Sequence, residues 1–382
     1  MTIYDRPVSG KLDGDALFAG REQLRSFPSI LPASALKTAE AGQRAAQMVL
    51  AVAAAKRTGR DAVAVANERH GENSLTARAL QASIGATGGY LIPIELSSEL
   101  IDLLRPRTSV RRMTPLRRQI AIPRGNLSVN RQNAGANVGY IGEGTSTAYT
   151  QESIGQINLL AKKVKAIVPI SNDLLRFSDK SAEMVVRDDL VKQLAVLEDQ
   201  NFLRGAGAAW GPKGLKYLTG NTTHATTSSY SVTTAISDLA GMVSQLENAN
   251  VPMTNPTWFW SAKTKNYLYD ARDSVGGFLF RAEMDRGMFR GYPFAWTQNI
   301  PNNLGGSSNQ SEIYLANMDE VLIGDVPGIQ IDASQDASYS DGTNMHSAFD
   351  QDETVIRVIA EHDINVKHTA SITVLDQVPF GN

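Results

Sequence analysis

Residues 119–170 constrain the fold of this chain more than any other stretch. Residues 119–123 and 127–131 read as short strands. Residues 154–170 alternate in part, with Val164, Ala166 and Val168 on one face and Lys163 and Lys165 on the other, the period of a strand. Between them, residues 133–153 (NAGANVGYIGEGTSTAYTQES) carry four glycines and few large apolar groups. The whole predicts a long two-stranded excursion whose tip has little hydrophobic surface to bury. An isolated hairpin is marginal in water, so another surface must hold it. The stretch points to assembly.

The rest of the 382 residues has the means to fold. Hydrophobic residues make up 42%, enough for sizeable cores, and charged residues 20%, too few for a disordered chain. The 37 basic and 39 acidic side chains leave a net charge of −2, which argues against a dedicated nucleic-acid binder. The absence of cysteine excludes disulfide scaffolds, thiolate zinc sites, iron–sulfur clusters and cysteine nucleophiles. Stability must come from packing, hydrogen bonds or association. The longest apolar run, residues 48–55, falls far short of the roughly 20 residues of a membrane span. The N-terminus lacks a secretory pattern, so synthesis in the cytoplasm without membrane attachment is expected.

Residues 33–66 are alanine-rich and predict helix, interrupted at Thr58-Gly59-Arg60. Its apolar face is small, so it needs something to pack on. Residues 69–89 read as a linker, and residues 97–104 as a helix capped by Ser97 and ended by Pro106. Residues 178–202 form the best helix, capped by Ser178 or Ser181. Val185, Leu190, Leu194, Leu197 and Phe202 face inward; Asp188, Asp189, Lys192 and Glu198 face outward. Residues 219–235 read as loop. A second domain begins near Val232, with helices over 235–247 and 263–269 around a buried strand at 256–261. Strands follow at 313–316, 321–323, 353–360, 364–367 and 372–375, with Glu361-His362-Asp363 as a joint.

No constellation carries chemistry. His70, His224, His346, His362 and His368 are scattered without metal-ligand spacing and read as surface or loop residues. Gly205-Ala206-Gly207-Ala208-Ala209-Trp210-Gly211 imitates a phosphate loop but follows a helix, so it reads as a turn. Asp188/Asp189 and Asp319/Glu320 read as solvated acids. Trp258, Phe259 and Trp260 read as core or interface. Arg105, Arg107, Arg111, Arg112, Arg117, Arg118 and Arg124 form a basic run with no acid among them. It reads as a solvated face, as partners for distant acids, or as a subunit or phosphate contact. No catalytic, cofactor or metal residue is assigned, and a structural, self-associating protein is favoured over an enzyme.

A series of motifs then carries a resemblance. They are Gly88-Gly89-Tyr90-Leu91-Ile92-Pro93, Leu103-Leu104-Arg105, Pro123-Arg124-Gly125-Asn126-Leu127 and Val138-Gly139-Tyr140-Ile141-Gly142-Glu143-Gly144. Val168-Pro169-Ile170-Ser171-Asn172-Asp173, Phe202-Leu203-Arg204-Gly205, Gly211-Pro212-Lys213-Gly214-Leu215 and Leu322-Ile323-Gly324-Asp325 continue it. In this order, over about residues 86–378, the chain resembles the HK97-like family of tailed-bacteriophage major capsid proteins.

The resemblance implies an α+β, HK97-like capsid fold. It implies an N-terminal arm (86–117), an extended loop (118–170) lying over a neighbouring subunit, and a peripheral domain with a long spine helix (171–231 and 328–382). The axial domain would be 232–327. It implies pentamers and hexamers closing an icosahedral shell around double-stranded DNA, held without sequence recognition. A portal protein, a maturation protease and a decoration protein are possible partners, and the virion capsid, assembled in the host bacterial cytoplasm, the location. An encapsulin-like compartment around protein cargo is the alternative. Residues 1–85 lie outside the resemblance, as a scaffold-like region removed by the protease or as a retained arm; retention is the reading adopted. The lysine that some members crosslink to an asparagine has no counterpart at 133–153, while Lys162 and Lys163 lie at the loop's base. In this light the arginine run is expected to meet acids of neighbouring subunits.

Overall fold

The computed structural model describes residues 43–72, 74–82, 90–91, 107–134, 153–173, 180–208, 210–226 and 231–380. The helix expected over 97–104, Ser178 and the loop tip at 135–152 lie outside the described residues.

The alanine-rich segment folds as three helices, Gln43–Thr58 (α1), Ala62–His70 (α2) and Leu75–Ala82 (α3). Gly59, at φ +65°, makes the turn between the first two. The third corrects the expected linker at 69–89. From Met48 to Ala55 every side chain of α1 is buried. It packs on α2 and α3 and against the spine helix and sheet described below. A helix buried on all sides needs small residues, and the alanines provide them.

Next come Tyr90–Leu91 (β1), Ser109–Met113 (α4), Gln119–Ala121 (β2), Asn126–Ala134 (β3), Ser153–Leu160 (β4) and Lys162–Ser171 (β5). The expected strand at 154–170 breaks at Ala161. β4 pairs antiparallel with β3 to form the hairpin, whereas β5 leaves it and pairs with a later strand. The excursion is therefore 126–160, shorter than the sequence implies. Strand periodicity alone does not say which partner a strand takes.

Lys180–Arg204 (α5) is the spine helix, at 25 residues roughly 37 Å long. Leu215–Leu218 (α6) and Asn221–His224 (β6) follow, the latter a strand where loop was expected. Val232–Asn248 (α7) begins with a capping box in which Ser231 and Thr234 satisfy each other's backbone amides. The chain continues through Pro256–Trp260 (β7), Ala262–Tyr269 (α8), Arg281–Met284 (α9), Met288–Phe289 (β8), Tyr292–Trp296 (β9), Ser311–Asn317 (β10) and Val321–Asp325 (β11). It ends with Gln330–Ser334 (β12), Ser338–Ser340 (β13), Met345–Ser347 (β14), Glu353–Val366 (β15) and Ile372–Val378 (β16). Glu361-His362-Asp363 is not a joint, because β15 runs through it without a break.

Two six-stranded sheets organise the fold. The first has the order β1-β12-β15-β11-β2, with β5 also on β15; the second runs β6-β16-β10-β7-β9-β8. The chain passes from the second sheet to the first between β10 and β11 and returns between β15 and β16. α1–α3 and α5 cover the first sheet through Leu190, Val191, Leu194, Ile331, Ile356 and Val358. α7 and α8 cover the second, where Trp258, Trp260 and Phe289 are fully buried in mutual edge and stacking contacts. A third core, with Val110, Phe202, Leu203, Tyr314 and Ile364, joins the two sheets.

Candidate assembly surfaces and the buried charge cluster behind them

Arg111 lies between the sheets and is 1% exposed. Its Nε and Nη2 donate to Glu198 Oε1 and Oε2 at 2.7 and 3.1 Å. Its Nη1 and Nη2 donate to Asp325 Oδ2 and Oδ1 at 2.7 and 2.9 Å. One guanidinium thus forks onto two carboxylates and ties α4 to α5 and β11. Burial alone would make it easier to deprotonate, but the two carboxylates outweigh that and hold it above its ordinary value. Asp199, the next residue on the spine helix, accepts the Ser109 N–H at 2.8 Å and the Val110 N–H at 3.2 Å. It satisfies the free amides at the start of α4. Burial pushes its carboxyl up, against the pull of those bonds.

His362 is buried beside this cluster, with Nδ1 3.9 Å from Glu198 and its ring edge-on to Phe202. Burial pushes the imidazole below its ordinary value. Its neighbour Asp363 accepts the Leu160 N–H at 2.8 Å at the end of β4, and burial pushes that carboxyl up. Thus β15 carries one residue into the charge cluster and the next to the base of the hairpin.

Several sequence expectations are corrected here. Glu198 faces inward, because Arg111 needs it, while Leu197 is exposed. His362 is a buried strand residue, not a surface one. Asp319 is buried and accepts from Arg117 at 2.6 Å, and that bond lowers its carboxyl. The arginine run finds partners in its own chain: Arg111 as above, Arg117 on Asp319, and Arg107 on Asp188 at 3.5 Å. These partners lie more than 80 residues away in sequence, and no local pattern marks them. The one available signal was that a run of arginines without nearby acids must be neutralised from afar. Arg112 and Arg124 are exposed.

Gly205 and Gly214 explain the false phosphate loop. A Cβ on Gly214 would sit 2.6 Å from the Asn201 carbonyl oxygen and 2.7 Å from the Gly205 nitrogen. A Cβ on Gly205 would collide with the carbonyls of Pro212 and Asn201. The two glycines let the returning chain close on the end of α5, which gives Gly205 a packing role. Trp258, Phe259 and Trp260 are all core. His224 pairs with Asp376, His346 with Asp341, and His368 with Glu320. Among the described residues, no group of three His, Asp or Glu side chains is arranged to hold a metal ion.

Among the described residues the hairpin has a small core at its base, where Ile157 and Leu159 pack on Ile122 and Leu322. Farther out Ile154 is 68% exposed. Other apolar side chains are exposed: Val196, Leu197 and, at 88%, Trp210; Val275 and Leu279; and Met345 and Phe349. Phe278 is partly exposed beneath the Arg272 and Arg281 guanidiniums. Scattered apolar side chains are ordinary on a surface.

Comparison with known proteins gives a consistent picture. The model of the Phage capsid family matches residues 88–377. A major capsid protein of Klebsiella oxytoca phage phiKO2 is 33% identical over 339 residues, covering 87% of this chain and 78% of that protein. Among solved structures, the capsid of an empty GTA particle is similar with a TM-score of 0.54 at 15% identity, over 71% of this chain and 90% of that one. The Mycobacterium phage Adephagia structure matches with a TM-score of 0.50 at 15% identity, over 70% and 89%.

Proposed function

The chain belongs to the Phage capsid family, has the HK97-like fold, and on that premise we propose that it is the major capsid subunit of a tailed phage, closing as pentamers and hexamers into an icosahedral shell around double-stranded DNA. The observation that carries this reading is the β3–β4 hairpin. It has apolar cover at its base, where Leu159 is fully buried, while Ile154, farther out, is 68% exposed. Such a hairpin is stable only if a second surface covers it. We assign that role to a neighbouring subunit, with the exposed Val196 and Leu197 on the spine helix and Trp210 after it as its landing ground.

The remaining assignments follow. Residues 86–117 act as the arm, 118–170 as the extended loop, 232–327 as the axial domain, and 171–231 with 328–382 as the peripheral domain. Val275, Phe278 and Leu279 project from the axial domain toward its symmetry mates. The near-neutral charge suits a container that must not grip its genome, since each phosphate contact adds salt-dependent affinity. A portal protein, a maturation protease and a decoration protein are the partners such a shell would use, with assembly in the host cytoplasm. Retention of the N-terminal helices is supported by α1, whose departure would bare the apolar faces of α5, β12 and β15.

Expression of the full chain followed by electron microscopy tests the proposal. Closed particles with fivefold and sixfold clusters are expected, and a chain that stays monomeric at high concentration overturns it. Nuclease-protected DNA in particles from infected cells separates a virion from an encapsulin-like compartment, which would hold protein. The intact mass of subunits from mature particles reads retention directly; a subunit cut near residue 85 refutes it.

A further inference from the structure

Four side chains tie the β3–β4 hairpin to the body of the subunit. Arg131 Nη1 donates to the Lys367 carbonyl at 2.7 Å. Asn365 Nδ2 donates to the Asn158 carbonyl at 2.9 Å, and Asp363 accepts the Leu160 N–H at 2.8 Å. The fourth is His368. Its Nε2 lies 3.0 Å from the Gln132 carbonyl oxygen on β3, and its Nδ1 lies 2.8 Å from Glu320 Oε2 on the turn between β10 and β11.

Both atoms that face this imidazole are acceptors. A carbonyl oxygen and a carboxylate have no proton to give, and a neutral imidazole has only one N–H. Both bonds form together only when the ring carries two protons. The other charged groups that these bonds gather around it are Lys367, next in the chain, and Arg131 across on β3. The Lys367 N–H donates to the Glu320 carbonyl at 2.9 Å, so the turn and the strand end are already joined. Gln132 pairs with Ile154, six residues farther along β3 than the Asn126–Leu160 base pair. It is the outermost of the four tethers, where a bond has the most leverage on the direction of the hairpin. His368 is itself exposed, so solvent protons reach it.

We infer that His368 is a protonation-dependent latch that fixes the direction of the β3–β4 hairpin relative to the subunit body. With the ring doubly protonated, Glu320 and Gln132 are bridged. When one proton leaves, the remaining N–H stays on the Glu320 carboxylate, the stronger acceptor, so the bond to the Gln132 carbonyl breaks and Arg131 is left as the outermost of these tethers. The latch lies within one chain; only its consequence, that the hairpin offered to a neighbour is better aimed in its protonated state, rests on the shell reading.

Hydrogen–deuterium exchange on the unassembled full-length chain, corrected for intrinsic rates, tests it at about pH 5.5 and about pH 8, either side of the usual imidazole range. Protection of the β3 and β4 amides, taken relative to the β10–β16 amides, is expected to fall roughly fivefold at the higher pH, the effect of one hydrogen bond of ordinary net strength. His368→Gln is expected to abolish this pH dependence, and His346→Gln, on a different hairpin, to leave it intact. An unchanged pH dependence in His368→Gln, or none in the unaltered chain, overturns the latch. If His368→Gln also unsettles the β10–β16 amides, Glu320→Gln decides: loss of the pH dependence supports the latch and its persistence refutes it. None of these readouts needs a shell to form, so failure of the latch and failure of the capsid reading are distinguishable.

Discussion

The junction around Arg111 and the β3–β4 hairpin are both built from polar contacts between distant segments, yet they are held in opposite ways. At the junction the Arg111 guanidinium and the Glu198 carboxylate are shut away from water and satisfy each other, with the partly exposed Asp325 carboxylate completing the fork. At the hairpin the tethers are single hydrogen bonds, three of them side chain to backbone carbonyl, near solvent. A buried charge network is expensive to break because removing one partner strands the rest. A set of exposed tethers fails one bond at a time. The first arrangement makes a rigid frame; the second makes an arm that can be redirected.

The sharpest test of this contrast is at Arg111. Arg111→Ala is expected to destabilise the subunit by about 3–5 kcal/mol, since Glu198 would be left buried without its cation. Arg112→Ala, its exposed neighbour, is expected to stay within about 0.5 kcal/mol. Chemical unfolding of both variants checks this, and equal effects would erase the distinction between frame and surface. Loss of particle yield in Arg111→Ala would then follow from a weakened subunit rather than a lost intersubunit pair.

Gly214→Ala should come next, at about 1–3 kcal/mol or more, because backbone rather than side-chain atoms block the new methyl group. Its thermal midpoint, compared with that of Gly306→Ala, a turn position where nothing stands within 4 Å of the added carbon, reads the steric cost.

The pH response of the frame has a definite sign. The folded state holds His362 below its ordinary value, so as pH falls below about 6.5 the unfolded chain takes up a proton that the native one refuses. Stability is therefore lost with falling pH in that window. Asp199 and Asp363 act oppositely: with native values raised above 3.8, they return stability as pH falls through their own raised values. His362→Gln should flatten the loss between about pH 7 and about pH 5.5, read from denaturation midpoints, although removing its contact with Phe202 costs some stability at every pH.

The smallest effect belongs to the arm. Arg131→Ala should cost about 0.5–1.5 kcal/mol, seen in exchange of the β3 and β4 amides and not in the global unfolding midpoint. A matching shift in the global midpoint would mean that the hairpin and the frame unfold as one.

Local patterns were legible where local physics governs. Helical spacing marks α5, the run around Trp258 marks a buried strand, and the long polar excursion signals that the molecule is incomplete alone. The glycine-rich stretch at 205–211 reads as a turn because it follows a helix, and it lies at the end of α5. Other features were not legible because their causes lie far off in sequence. Nothing near Glu198 says that it faces inward until Arg111 is placed against it. Nothing near Glu361-His362-Asp363 says that three polar residues continue a strand, until β5 and β11 are seen to pair along it.

The sequence by itself determined a cysteine-free, nearly neutral chain of helices and strands with one excursion poor in apolar surface, since composition and periodicity set what each segment can bury. Tertiary structure alone decided where the 119–170 excursion ends, that the alanine-rich segment is core, and that Arg107, Arg111 and Arg117 of the 105–124 run are answered within their own chain. Partner choice between strands and between buried charges depends on which surfaces meet, and one-dimensional spacing carries no record of that.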